Sequence, residues 1–434
     1  DPLKKKFQEK ASALAAEMKA LLKEHGETKV GEVNLKQVFG GARGVKMMVW
    51  ETSALDAMEG IRFRGYSIPQ LREKLPRING STEPMPEGLF WLMLVDEIPT
   101  EEDVAWLSKE WAKRADVPQV TFDVLDSLPA DTHPMTQFSV AITSMQGESV
   151  FSQRYAEGMN KKDYWDATYE DAMNLIARLP RIAAYIYRRT YHKGEHIAPD
   201  ASLDWAANYA KMLGIDNMDF MNLMRLYTTI HADHEGGNAS AHTTHLVNST
   251  LSDPYLSFAA GMNSLAGPLH GLANQEVIKW IFSMVEELGT TNPTKEQIAT
   301  YVEETLKAGR VIPGYGHAVL RQPDPRFTAQ KVFAEEYIKD DDIVNVVWKI
   351  FDVVPPILEG LGKVKNPWPN VDAHSGALLV HYGLKEYGYY TVLFGVSRAL
   401  GVLAAMCWSR ALGMPLERPK SVTSEWVKEF VAQA

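Results

Sequence analysis

Cysteine is nearly absent: Cys407 is the single one in 434 residues. One thiol excludes an intrachain disulfide and a cysteine-rich structural zinc site. Its neighbours Ala404, Ala405, Met406 and Trp408 are mostly apolar, which reads as a buried, inert thiol. An excess of positive charge is also missing. With 45 Lys and Arg against 55 Asp and Glu, the net charge is −10. That argues against a general nucleic-acid partner, while leaving room for a local basic pocket. Strand signals are few, and fixed-period repeats and low-complexity segments are absent. Long apolar runs are scarce too. The longest, Val392 to Leu412, has the length of a membrane span. Arg398 and Arg410 lie inside it, and an Arg at a bilayer centre costs at least about 2.5–3.5 kcal/mol. The run therefore reads as a buried core helix, and no membrane partner is expected. The chain starts at Asp1 rather than Met, which reads as the removal of a targeting segment or of an initiator Met and tag. Its last residues match neither an ER-retention nor a peroxisomal signal.

What is present is an ordinary globular composition, 45% hydrophobic and 23% charged. Chains beyond about 250–300 residues usually divide their core, so two domains, or one with a smaller lobe, are expected. Helical signals dominate. Phe7, Ala11, Leu14, Met18 and Leu21 form one apolar stripe, with Gly26 where the helix should stop. Thr100 with Asp103, and Thr294 with Gln297, form capping boxes. Gly309 ends the second of these helices. Gly60-Ile61-Arg62-Phe63-Arg64-Gly65 alternates as one arm of a hairpin.

Three stretches break the helical pattern: 231–245, 309–326 and 366–376. Irregular segments on a helical scaffold tend to carry binding and catalytic groups. In Gly267-Pro268-Leu269-His270-Gly271, Pro268 fits a first helical turn. His270 would then lie at the positive end of a helix, which disfavours imidazolium and leaves a neutral N–H donor suited to a developing enolate. A histidine that merely satisfies local backbone groups is the bland alternative. In Pro313-Gly314-Tyr315-Gly316-His317, two glycines let a ligand approach the main chain closely. Arg321 and Arg326 add positive charge, and no Gly-Lys-Ser/Thr follows, so this is not a phosphate loop. A solvated charged turn is the competing reading. In Asn366-Pro-Trp-Pro-Asn-Val-Asp372, two prolines stiffen the approach to a lone carboxylate; Asp372 as helix cap competes with Asp372 as base. The run His231-Ala-Asp-His-Glu-Gly-Gly-Asn238, with His242 and His245 beyond, raises a metal site. It is not His-Glu-x-x-His, and its glycines break the helix that would align ligands, so an anion site fits better than a metal. Arg398, buried by its setting, needs an anionic partner. Arg418, in a loop near the C-terminus, is by default a surface charge.

Together these segments resemble citrate synthase. Gly-Pro-Leu-His270-Gly, Pro-Gly-Tyr-Gly-His317-Ala-Val-Leu-Arg and Pro-Asn-Val-Asp372-Ala-His-Ser-Gly match the family's motifs in order. Asp233-His-Glu-Gly-Gly-Asn238, Gly60-Ile-Arg-Phe-Arg-Gly65 and Phe394-Gly-Val-Ser-Arg398-Ala-Leu-Gly also match. The likeness runs over essentially the whole chain. Asn366-Pro-Trp-Pro and Leu416-Glu-Arg-Pro-Lys-Ser421 resemble the animal mitochondrial form. The resemblance implies an all-α fold with an active site between a large domain (1–273 and 384–434) and a small one (274–383). It implies a mitochondrial homodimer that condenses acetyl-CoA with oxaloacetate and hydrolyses the thioester, a reaction of the tricarboxylic acid cycle. Neither metal nor cofactor is implied, because coenzyme A arrives as part of the substrate. By resemblance Asp372 is the base, His270 the donor to the thioester oxygen, and His317 the group that polarises the oxaloacetate carbonyl. His234, Asn238, Arg326, Arg398 and, across the subunit interface, Arg418 hold oxaloacetate. Arg43, Lys161, Val311, Pro313, Gly314, Tyr315, Gly316, Lys363 and Asn370 match acetyl-CoA positions. Lys161 stands where the animal form usually has Arg, which keeps the charge and loses a bidentate phosphate contact. A propionyl-CoA-using 2-methylcitrate synthase, a His-cluster metallohydrolase from another class, and a non-catalytic helical scaffold, which leaves His270, His317 and Asp372 unexplained, are the alternatives.

Overall fold

Residues 1–434 are described by a computed structural model as twenty α-helices and one three-stranded antiparallel sheet, an all-α architecture. Asp1 caps α1 (Pro2–His25), accepting from the Lys4 amide. The predicted stripe is only partly used: Phe7 and Ala11 are buried, whereas Leu21 is exposed. After α2 (Leu35–Phe39), the expected hairpin arm becomes the central strand of β1 (Ser53–Asp56), β2 (Gly60–Phe63) and β3 (Tyr66–Ser67). Then come α3 (Ile68–Lys74), α4 (Pro86–Val95), α5 (Glu101–Lys113), α6 (Gln119–Ser127), α7 (Pro134–Ser144), α8 (Val150–Ala156), α9 (Tyr164–Tyr191), α10 (Trp205–Leu213) and α11 (Met218–Ile230). Thr100 and Asp103 form the predicted capping box of α5.

The second half holds α12 (Ala239–Ser249), α13 (Pro254–Leu265), α14 (Ala273–Leu288), α15 (Lys295–Lys307), α16 (Pro325–Tyr337), α17 (Asp342–Gly360), α18 (Asp372–His381), α19 (Tyr390–Ala411) and α20 (Ser424–Gln433). The Thr294–Gln297 box opens α15 as predicted. The apolar run is α19, buried from Tyr390 through Arg410 and packed on α4, α7, α9, α11, α12 and α13. It is the core helix expected from its two arginines. Gly401 lets the 232–233 backbone lie directly against it: the Gly401 N–H donates to the Ala232 carbonyl at 3.1 Å, and a Cβ there would sit 2.2 Å from that oxygen. Between residues 273 and 381, α14 packs on α15 and α18, α17 on α15 and α18, and α16 on α18. The two terminal segments differ from all of this. Val30, Val33, Val38 and Phe39 near one end, and Trp426, Phe430 and Val431 near the other, are exposed, Phe39 to 94%.

Candidate active site

The candidate site is built from four pieces of backbone. The first is the turn after α11, held on α19. Arg398 of α19 donates from Nε to the His231 carbonyl (3.0 Å) and from Nη1 to Asn238 Oδ1 (3.2 Å), with its guanidinium 4.7 Å from the Phe394 ring centroid. No carboxylate forms an ion pair with it. Asp233, the acid it feels most, is already engaged by Trp50, Thr52 and Ser53. Burial pulls Arg398 down to about 10, still charged at neutral pH and short of an anion. His234 is buried with Nε2 unpartnered; burial, then Arg326, hold it well below the usual imidazole range.

The second piece is the turn 267–271. Pro268 does not open a helix: α14 starts at Ala273, and the Gly271 N–H bonds back to Leu265 at the end of α13. His270 therefore precedes the helix rather than occupying its first turn. It is still neutral, pulled down to about 4, but the cause is burial and then Arg398 rather than a helix terminus. Its proton can be placed. The Ser240 backbone N–H donates to His270 Nε2 at 3.2 Å, and a main-chain N–H can only donate. Nε2 is thus an acceptor and Nδ1 carries the hydrogen. The Ser240 hydroxyl lies 2.8 Å from the same Nε2 and also meets Asn238.

The third piece is the loop 311–326. The amides of Val319 and Leu320 donate to His317 Nδ1 at 3.0 and 3.1 Å. In this imidazole Nδ1 is the acceptor and Nε2–H the free donor. Burial, then Arg326, lowers it to about 4. Its ring lies 5.4 Å from that of His234. Asp324 caps α16 and grips Arg326 through Nε and Nη2. Nη1 makes no hydrogen bond within the chain.

The fourth piece is 366–372. It pairs with the third loop: Gly316 N–H to Trp368 O, Asn370 N–H to Gly314 O, and Asn370 Nδ2 to Gly316 O. Gly314 has φ +82°, and a Cβ there would lie 2.8 Å from the Ala373 Cα, so only glycine allows this approach. Asp372 is the first residue of α18. Val371 is the N-cap position and no side chain caps the helix, so Asp372 is not a cap. Its backbone N–H is held by Asn370 Oδ1, while its carboxylate accepts no hydrogen bond. Burial raises it to about 6, against the opposing pull of Arg326 and Arg398.

Neutral imidazole donors, two buried guanidiniums and one basic carboxylate thus converge. Such an arrangement can hold a small polyanion, polarise a carbonyl and accept a proton at the carboxylate. No group of three or more His, Cys, Asp or Glu is arranged to hold a metal. His242 and His245 face Glu417 rather than His231 and His234.

The model of the family described as "Citrate synthase, C-terminal domain" matches residues 41–420. The chain belongs to the citrate synthase family. It is 57% identical to the probable mitochondrial citrate synthase of Glossina morsitans morsitans, over 95% of this chain and 89% of that one. It is 56% identical to the mitochondrial citrate synthase of Xiphias gladius, over 95% and 88%. Among solved structures, the citrate synthase of Pyrobaculum aerophilum matches with a TM-score of 0.77 at 27% identity, covering 92% of this chain and 95% of that one. The Thermoplasma acidophilum citrate synthase, solved with carboxymethyl coenzyme A and oxaloacetate, matches in fold with a TM-score of 0.75 at 22% identity, covering 88% and 95%.

Of the residues that resemblance to citrate synthase singled out, His234, Asn238, His270, His317, Arg326, Asp372 and Arg398 meet in this cleft. Gly314, Tyr315, Gly316 and Asn370 form the ladder beside it, with Pro313 adjoining. Val311 (80% exposed), Arg43 and Lys363 are surface residues without ion pairs. Lys161 lies elsewhere, in a surface pocket with Tyr164, Ser249 and Arg410. Arg418 is exposed, and its only hydrogen bond is to the Pro419 carbonyl. The roles of two residues escaped the sequence reading. Ser240 sets the His270 tautomer through a contact 30 residues distant, invisible to local pattern. Asp324 seats both Arg326 and Val371; an Asp directly before Pro325 was a readable cap signal.

Proposed function

We propose that this cleft joins the acetyl group of acetyl-CoA to oxaloacetate and hydrolyses the resulting thioester to citrate and CoA. The chain is an acyltransferase of the citrate (Si)-synthase type, and it is mitochondrial, as the names of its curated relatives state. The Asp372 carboxylate takes a proton from the acetyl methyl. His270 Nδ1–H bonds the thioester oxygen as it becomes enolic. The enolic carbon attacks the oxaloacetate carbonyl, polarised by His317 Nε2–H, and water then cleaves the thioester. Arg326, Arg398, His234 and Asn238 hold the oxaloacetate carboxylates. Arg43, Lys161, Lys363, Val311, Asn370 and the 313–316 backbone are assigned to acetyl-CoA. No cofactor or metal enters, so activity should survive chelator.

The observation that carries this reading is a partnerless carboxylate raised to about 6 in the field of Arg326 and Arg398, the guanidiniums that also act on two neutral histidines whose protons sit on different nitrogens. Thiol release from acetyl-CoA that depends on oxaloacetate tests it. Absence of release would overturn it, and faster turnover of propionyl-CoA would favour a 2-methylcitrate synthase.

The reading extends to assembly. Residues 274–383 form the small domain, closing on 1–273 and 384–434. Two chains pair through surfaces that include the exposed apolar termini, and Arg418 of each reaches the oxaloacetate of the other. Asp372→Asn and Arg418→Ala homodimers should each be nearly inactive, and mixing them should restore activity in one site per heterodimer. Verified heterodimers without recovery would remove Arg418 from the partner's site.

A further inference from the structure

The C-terminal segment touches the body of its own chain at one polar point. From Pro415 to Ala434, hydrogen bonds and ion pairs run within the segment, with the exception of those made by Glu417. The Glu417 N–H donates to Ser249 Oγ at 3.1 Å. Its carboxylate meets His242 Nε2 at 2.6 Å and lies 3.9 Å from His245 Nε2. Its side chain is 14% exposed, although Leu416 beside it is 55% exposed. His242, His245 and Ser249 stand three and four residues apart, so they share one face of α12. The other end of α12 begins at Asn238 and Ser240, which hold Arg398 and His270. Arg418 is the next residue after the anchor and makes no contact with the cleft of its own chain.

We propose that Glu417 is a positioning residue: clamped on α12, it fixes the point and direction from which the strand leaves the chain, and so sets where Arg418 meets the partner's oxaloacetate. The proposal rests on the reading that Arg418 acts across the interface. The anchor sits one residue from the arginine, so releasing it frees the strand immediately before the guanidinium and spreads Arg418 over many positions. Oxaloacetate binding then weakens while the groups that perform the chemistry stay in place.

Steady-state kinetics on Glu417→Ala should show an oxaloacetate KM raised about tenfold with kcat nearly unchanged, the pattern of lost uniform binding. Glu417→Gln keeps an acceptor for His242 and should recover most of that loss. His242→Ala should reproduce it, and the double variant should add little, because both remove one interaction. The direction of action is read from heterodimers purified through two different tags. Wild type paired with an Asp372→Asn/Glu417→Ala chain has one working site, built on the wild-type Asp372 and served by the lesioned strand. Its KM should be raised. Asp372→Asn paired with Glu417→Ala has a working site served by an intact strand, and its KM should be normal. The reverse pattern would show that Glu417 acts within its own chain through α12 and would overturn the proposal, as would an unchanged KM in all of these proteins. Failure of the Arg418 reading is separately visible, as missing recovery when Asp372→Asn and Arg418→Ala chains are paired.

Discussion

The 267–271 turn and the 311–320 loop each present one neutral histidine to the cleft, and the two are neutral for the same reason. Burial takes each to about 4, and a guanidinium adds to it: Arg398 beside His270, Arg326 beside His317. They differ in where the proton sits. A backbone amide of α12 occupies His270 Nε2, so the turn offers Nδ1–H. Two amides of its own loop occupy His317 Nδ1, so the loop offers Nε2–H. Burial therefore sets the charge of an imidazole, and main-chain donors choose its tautomer. Neither histidine has a free acceptor nitrogen, which supports the proposal that Asp372, whose carboxylate accepts no hydrogen bond, is the base.

The largest effect should follow from removing that carboxylate. Asp372→Asn should lower kcat by on the order of 10²–10⁴, with oxaloacetate binding kept. Near-normal turnover would mean that one of the histidines is the base and that its tautomer is wrongly placed. Next come paired replacements that separate the tautomers. An Asn amide overlies the Nδ1 position of His, and a Gln amide overlies Nε2. His270→Asn should therefore retain more activity than His270→Gln, and His317→Gln more than His317→Asn. The worse member of each pair loses a transition-state donor, a cost of about 10²–10³ in kcat. The same order at both positions would break the contrast.

A thermodynamic prediction follows from Asp372. Its pKa is raised from 3.8 to about 6. Its contribution to stability is thus fully present below about pH 4 and is lost as pH rises through 6. Asn does not titrate. The Asp372→Asn protein should match the wild type near pH 4 and exceed it above pH 7 by on the order of 2–3 kcal/mol, measured by urea unfolding at fixed protein concentration. The depressed histidines act in the opposite sense. Their contribution is present above about pH 6.5 and is lost as pH falls toward 4, so it weakens both proteins alike. In kinetics, the acid limb should accordingly follow one group near 6, not a pair near 4. A gap that does not change with pH would show that the carboxylate is not held at a raised pKa.

These contrasts mark the boundary of what the chain sequence discloses. Thr100 and Thr294 announce their helices because a cap is a local event. The run Val392–Leu412 is legible as core because burial of a whole helix needs apolar residues on every side. Pro268 misleads because the decisive bond, from the Gly271 amide to Leu265, ends the preceding helix rather than beginning the next. A neutral His270 was anticipated, yet its cause was not, since burial and the approach of Arg398 join residues 128 positions apart. The stripe on α1 is a different case. Its periodicity is real, but Leu21 stays exposed because nothing in a single chain covers it.

The smallest effect tests the causes of neutrality, and it can be read without catalysis. In an NMR titration both histidines should remain neutral to well below pH 6, with His270 Nδ1 and His317 Nε2 as the protonated nitrogens. Burial is the leading cause for both and survives any single substitution, so no arginine variant should return either to the ordinary range. The secondary causes differ, and that makes them separable. Arg398→Met removes a cation that acts on His270 and is not among the groups that depress His317. It should raise the pKa of His270 slightly and leave that of His317 in place. Arg326→Met should do the reverse. If both variants moved both histidines equally, the cleft would be one shared field, and the separate neighbourhoods of the turn and the loop would not explain their chemistry. If instead His270 alone titrated at its ordinary value in the wild type, the turn would be open to water, and its tautomer would be free to switch.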